Sequence, residues 1–119
     1  MEREPRSFLW DVQQSADKIF TFLDGVSEEQ YLADEMLQAA VERHFMTIGE
    51  ALAGLSKISP ELAARIPDFG RAVAFRNLLV HGYAVIKSRT VWLIAQEDLP
   101  VLRKAVEGVL YELDGPMEK

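Results

Sequence analysis

The sequence predicts an all-α fold, an up-and-down bundle of four to five helices in a single domain over residues 1–119. Three observations carry this reading. Apolar residues recur at spacings of three and four along most of the chain, helix-start signals stand at Ser27, Ser59-Pro60 and Asp98, and no repeat, low-complexity stretch or internal linker intervenes. A chain of 119 residues with 49% hydrophobic content has apolar material for one core.

Each element follows in order. Leu9, Val12, Ala16, Ile19 and Leu23 form one face of a first helix that ends near Asp24-Gly25. Ser27 followed by Glu28, Glu29 and Gln30 has the form of a capping box. It is expected to open a long helix with the stripe Leu37, Ala40, Val41, His44, Phe45, Ile48, Leu52 and Leu55. Ser59-Pro60-Glu61, with proline at the first helical position, starts a short helix closed off by Pro67. A third main helix should run from about Phe69 to the neighbourhood of His81, with Gly82 as terminator. After Thr90 the run VWLIA is followed by Asp98-Leu99-Pro100 and a stripe of Leu99, Leu102, Val106, Val109 and Leu113. Asp98 can cap a helix with Pro100 in its first turn, giving two helices or one kinked one. A hairpin pairing VWLIA with AVIK, Ala84 to Lys87, is conceivable, but two short strands alone are marginal.

Composition narrows the chemistry. Without cysteine there are no disulfides, thiolate metal sites or cysteine nucleophiles, and His44 and His81 are too far apart in sequence to form a metal-ligand pattern. No run approaches the ~20 apolar residues of a membrane span, and the charged MEREPRS start lacks a signal-peptide core, so a cytoplasmic protein is expected. The net charge of −6 conceals a split. Lys57 to Arg89 holds six basic residues against two acids, whereas Ser7 to Glu50 holds nine acids against two bases. An anion would be attracted to the first stretch, and the acidic stretch is left for solvent or a basic protein partner. Ordinary surface charge explains the same split equally well.

The basic stretch contains RNLLVHGY, residues 76–83. Leu78, Leu79 and Val80 can anchor it in a core, while Arg76, Asn77, His81 and Tyr83 are side chains that handle phosphate and move protons. On a regular helix Arg76 and His81 point about 140° apart, so one chain brings both to one phosphate only with difficulty. Asn77 and His81 share a face at i, i+4. Arg76 and Tyr83 align only if the helix persists past Gly82. Two copies of this helix, antiparallel at a twofold interface, would set Arg76 and His81 of both chains around one cleft.

RNLLVHGY resembles the signature of HEPN-domain proteins, an arginine, four residues, a histidine, one residue and a tyrosine, and it is most similar to the HepT-like toxin group. Arg76, His81 and Tyr83 fall on the signature positions, and Asn77 on the polar residue that commonly follows the arginine. AVERHFMTIGEAL, Ala40 to Leu52, and VWLIAQEDLPVL, Val91 to Leu102, look similar as well. The resemblance implies a helical homodimer acting as a metal-independent endoribonuclease toxin without a cofactor. It also implies a nucleotidyltransferase antitoxin partner, which in related systems transfers AMP to the motif tyrosine. His81 would then be the general acid or base, Arg76 the phosphate clamp, Asn77 an orienting group, and Tyr83 a substrate contact and the adenylylation site. The chemistry is self-consistent, since RNA supplies its own nucleophile in the 2′-OH.

A second function class fits the same residues: a non-catalytic HEPN subunit that binds a nucleotide or presents substrate to a partner nucleotidyltransferase. The intact set of Arg76, His81 and Tyr83 favours the nuclease, because a binding subunit has less need of an imidazole. Structural roles are expected for His44 on its apolar stripe, for Trp10 and Trp92 as core or interface aromatics, and for Glu50, which could pair with a basic group of the motif helix.

Overall fold

The computed structural model describes residues 4–67, 72, 74–77, 79 and 88–114. Every regular element among them is helical and none is a strand. Helix α1, Pro5–Leu23, begins with proline at its first turn and turns its apolar stripe, Leu9, Val12, Ala16, Ile19 and Leu23, into the core. The chain reverses at Gly25, whose φ of 74° lies in the left-handed region that glycine enters without a Cβ clash.

The capping box forms as its sequence requires. Ser27 Oγ accepts from the Gln30 N–H at 3.1 Å, and Gln30 Oε1 accepts from the Ser27 N–H at 2.9 Å. It does not open the long helix, however. It caps the five-residue helix α2, Glu28–Leu32, and the long helix α3, Glu35–Ile58, has its own N-cap in Asp34, whose Oδ1 accepts from the Leu37 N–H at 3.0 Å. Two start signals seven residues apart each satisfy orphan donors, so a continuous stripe in sequence becomes two elements. Helix α4, Pro60–Ala63, starts at the expected proline, although Ser59 makes no side-chain cap there.

Residues 72, 74–77 and 79 are helical, in accord with the third main helix, whose ends lie outside the described residues. So does the AVIK half of the conceivable hairpin, and VWLIA itself is not a strand. Helix α5, Ser88–Leu93, passes directly into a π-helical turn, Ile94–Asp98, and then into α6, Leu99–Asp114. Asp98 therefore lies inside a continuous helical run and starts none. Pro100 accounts for the wide turn: it has no N–H, and in an α-helix its ring would press on the carbonyl four residues back. The Leu99 N–H instead reaches the Ile94 carbonyl, five residues back, and the chain passes the proline without breaking.

Helix α1 runs antiparallel to both α3 and α6. Phe8 lies against Gly54 and Ser15 against His44 in the first pairing, while Arg6 bonds Asp114 and Asp17 bonds Arg103 in the second. Between α1 and α3 sit Leu9, Val12 and Ile19 with Val41, Ile48, Leu52 and Leu55, all buried in one apolar cluster. Burying each such side chain is worth about 1.5–3 kcal/mol, which makes this pair the stable centre of the bundle. Helix α2 is attached at the side. Tyr31 packs on Trp92 with ring centroids 5.4 Å apart, and Gln38 Nε2 donates to the Tyr31 carbonyl at 2.9 Å while Gln38 Oε1 accepts from Ser88 Oγ at 3.0 Å. The two tryptophans separate: Trp92 is core, but Trp10 is 54% exposed.

His44 occupies the structural position expected of it. Nδ1 lies 3.2 Å from Ser15 Oγ, and the ring packs on Phe22 at 5.5 Å. Burial, and then the nearby Lys18 and Arg43, hold its imidazole below the usual range. The folded chain thus takes up this proton less readily than the unfolded one. The neutral ring's stabilising effect is complete above the unfolded value of about 6.5 and is lost as pH falls below it. Glu42, whose carboxyl is pushed up by burial, acts with the opposite sign. Melting temperatures followed from about pH 7.5 to 5 should fall more steeply for the wild type than for His44→Gln, because only the wild type has this imidazole to protonate.

Candidate functional site

The described part of the motif segment is placed by its own helical spacing. Ala72, Phe75 and Leu79 stand at i, i+3 and i+7 and pack against the core, with Phe75 edge-on to Phe45 at a centroid distance of 5.4 Å. Arg76, four residues after Ala72, shares that face and is carried against α3. Asn77 lies one step round the helix and is exposed.

Gly49 makes this approach possible. A Cβ built there would overlap Arg76 Cβ and Cγ, so the arginine stem occupies the space a side chain would fill. At the far end of the same side chain, Nη1 donates to Asn77 Oδ1 at 2.6 Å and Nη2 donates to Glu50 Oε2 at 3.3 Å. Arg76 Nε is buried without a hydrogen-bond partner among the described residues. The side chain is 26% exposed, Glu50 60%. An ion pair so open to water contributes about 0–1 kcal/mol to stability, too little for the fold to depend on it. What the arrangement provides is orientation: the planar guanidinium is held by two acceptors, and each η nitrogen keeps a second N–H that can donate to an anion.

Of the four residues assigned from the sequence, Arg76 and Asn77 are thus brought into direct contact. His81 and Tyr83 lie outside the described residues, as do the Asn77–His81 and Arg76–Tyr83 alignments. Glu50 meets the expectation that it pairs with a basic group of the motif helix. Sequence reasoning missed Gly49. Its signal was a glycine inside a helical apolar stripe, where only close approach of another backbone or stem justifies the loss of helix propensity. An apolar cleft lined by Phe45, Ile48, Ala72, Phe75, Ile94 and Leu99 lies on the core side of the motif segment, with Asp98 as the one ionisable group among the described residues of its wall. Among the described residues no cluster of three His, Asp or Glu side chains could hold a metal ion, and no helix is long and apolar enough to cross a membrane.

Comparison with known proteins shows the family of the chain. The family model described as ribonuclease HepT-like matches residues 12–109, from α1 into α6. The chain belongs to the HepT-like ribonuclease family. Among similar proteins, one from Methanocaldococcus jannaschii named "Putative RNase" is 31% identical over 91% of this chain and 98% of its own length. A second "Putative RNase" of that organism is 28% identical over 98% of this chain and 96% of its own length. A "Probable ribonuclease HepT" of Thermococcus cleftensis is 29% identical over 90% of this chain and 96% of its own length. No solved structure matches the chain significantly.

Two glycine substitutions test the close approach. Gly49→Ala should destabilise the protein by about 1–3 kcal/mol, since its methyl group forces the motif segment off α3. Gly108→Ala in α6, where an added Cβ meets nothing within 4 Å, should stabilise it by roughly 0.5–1 kcal/mol. Denaturant melts of the two variants beside wild type give both signs in one experiment.

Proposed function

We propose that this chain is a metal-independent endoribonuclease toxin whose active site is completed at a homodimer interface by Arg76 and His81 of two copies. The observation that carries the reading is the guanidinium of Arg76, oriented by Asn77 and Glu50 within a chain of a ribonuclease family. Its free N–H groups donate to the non-bridging oxygens of an RNA phosphate, whose negative charge grows as the 2′-oxygen attacks phosphorus. His81 handles the protons: one leaves the 2′-OH as the new P–O bond forms, and one reaches the 5′-oxygen as its bond to phosphorus breaks. The site requires no nucleophile from the protein, because the substrate brings its own.

Arg76→Ala and His81→Ala should each reduce cleavage of RNA by about a hundredfold or more while leaving helical content and oligomeric state unchanged, and wild-type cleavage should persist in EDTA. Dimers mixing one Arg76→Ala chain with one His81→Ala chain should regain part of the activity. Should the unmodified wild type bind nucleotide yet cleave no RNA, the subunit that serves a partner nucleotidyltransferase is the better reading.

The same reading gives Tyr83 a regulatory role toward a nucleotidyltransferase antitoxin, alone or in a higher assembly of dimers. Transfer of AMP from ATP to the phenol oxygen, with release of pyrophosphate, places a phosphate two residues beyond His81. That phosphate competes with RNA for the Arg76 guanidinium and repels the incoming backbone. Co-expression with the cognate enzyme should add the mass of one or more adenylyl groups on the peptide containing Tyr83 and suppress toxicity, and Tyr83→Phe should abolish the mass shift. Adenylylated protein that still cleaves RNA like the unmodified form would eliminate this mode of control.

A further inference from the structure

Gly49 and Glu50 are consecutive on α3, and both act on one side chain. Gly49 leaves the space that the Cβ and Cγ of Arg76 fill, and Glu50 accepts from Nη2 at the other end of the arginine. With Nη1 on Asn77, the guanidinium is gripped at both η nitrogens. An arginine has several rotatable bonds, and a long side chain left unsecured samples many rotamers. A phosphate clamp works only when its donors are held near the geometry of the transition state.

The charge of Glu50 makes the arrangement informative. A carboxylate beside an anion-binding arginine weakens anion binding, so a surface that merely collected phosphate would be better without it. The ion pair is also too solvated to be needed for folding. Orientation is the benefit that remains.

We propose that Glu50 is a positioning residue of the ribonuclease site, directing the Arg76 guanidinium from α3 through its bond to Nη2. This inference rests on the ribonuclease reading of Arg76. Glu50 itself touches no substrate; Arg76 does. Gln at position 50 keeps an acceptor oxygen of the same reach and removes the charge, which separates orientation from electrostatics.

The experiment uses the full chain, a mixed-sequence fluorogenic oligoribonucleotide, and arginine labelled with nitrogen-15. Glu50→Ala should lower kcat about tenfold or more with KM within about threefold of wild type, and Glu50→Gln should return kcat to within about threefold. Helical content, melting temperature and oligomeric state should be those of the wild type in both. Independently, the buried Nε–H of Arg76, assigned by its loss in Arg76→Ala, should give a slowly exchanging proton–nitrogen signal in wild type and Glu50→Gln that exchanges faster in Glu50→Ala. Wild-type kcat in Glu50→Ala, a Gln variant as slow as the Ala variant, or an Nε–H signal unchanged in Glu50→Ala would each overturn the proposal. If the wild type cleaves no RNA but the Nε–H signal responds as described, the ribonuclease reading fails and the positioning role stands.

Discussion

The structure depends on one constraint: the long helix α3 must be packed at close range on more than one side. Its 24 residues present Val41, Ile48, Leu52 and Leu55 to the core, where α1 supplies the facing apolar stripe. Two glycines on α3 serve as notches. At Gly54 an added Cβ would come within 2.5 Å of Phe8 Cε1 of α1, and at Gly49 it would collide with the stem of Arg76. Interiors are packed too densely to absorb such volume without displacement, so these two positions set how near α1 and the motif segment can lie. The same helix that organises the core thereby determines where the arginine of the candidate site stands.

Polar groups are distributed according to what they can be bonded to. The Arg103 pair with Asp17, and the Arg6 pair with Asp114, lie along the seam between α1 and α6, where water moderates their strength. Tyr31 is the exception inside. It is fully buried, its hydroxyl has no hydrogen-bond partner among the described residues, and desolvation, with Glu42 nearby, pushes its ionisation up to about 12. A phenol so placed remains neutral, and its value to the fold is the aromatic surface laid against Trp92. Arg76 represents a third situation. Its stem is sheltered and its head is bonded on two sides, but the pairing with Glu50 is too exposed to stabilise the fold appreciably. Its geometry therefore bears on binding far more than on stability.

Charge segregation along the chain acquires meaning through this packing. The acidic first half and the basic stretch from Lys57 to Arg89 are not simply apart: Glu50 of one bonds Arg76 of the other, and Glu28 bonds Arg89 at 3.3 Å. Membership in the HepT-like family then gives the basic stretch a chemical context, since RNA presents the phosphates such a stretch attracts.

The helical class, the first helix with its glycine stop, the proline start of α4 and the capping box at Ser27 were legible from sequence alone. Each rests on residues close together in the chain, through periodicity, fixed proline φ, or a side chain satisfying a backbone N–H three positions away. The RNLLVHGY run is likewise read from adjacent residues, whereas the pairing of Glu50 with Arg76, 26 positions away, was anticipated but is made only by the fold. The folded structure decided the rest, partly through competing local bonds and partly through contacts between distant residues. Asp34, competing with Ser27 as a helix start, splits the long predicted helix in two, and the i→i−5 bond from Leu99 to Ile94 carries the chain past Pro100 where the sequence left a break equally open. Whether Gly49 was a weakness in a helix or a notch for an arginine depends on a residue 27 positions away. Periodicity reports which face of a helix is apolar, but not which side chain from elsewhere in the chain fills the space beside it.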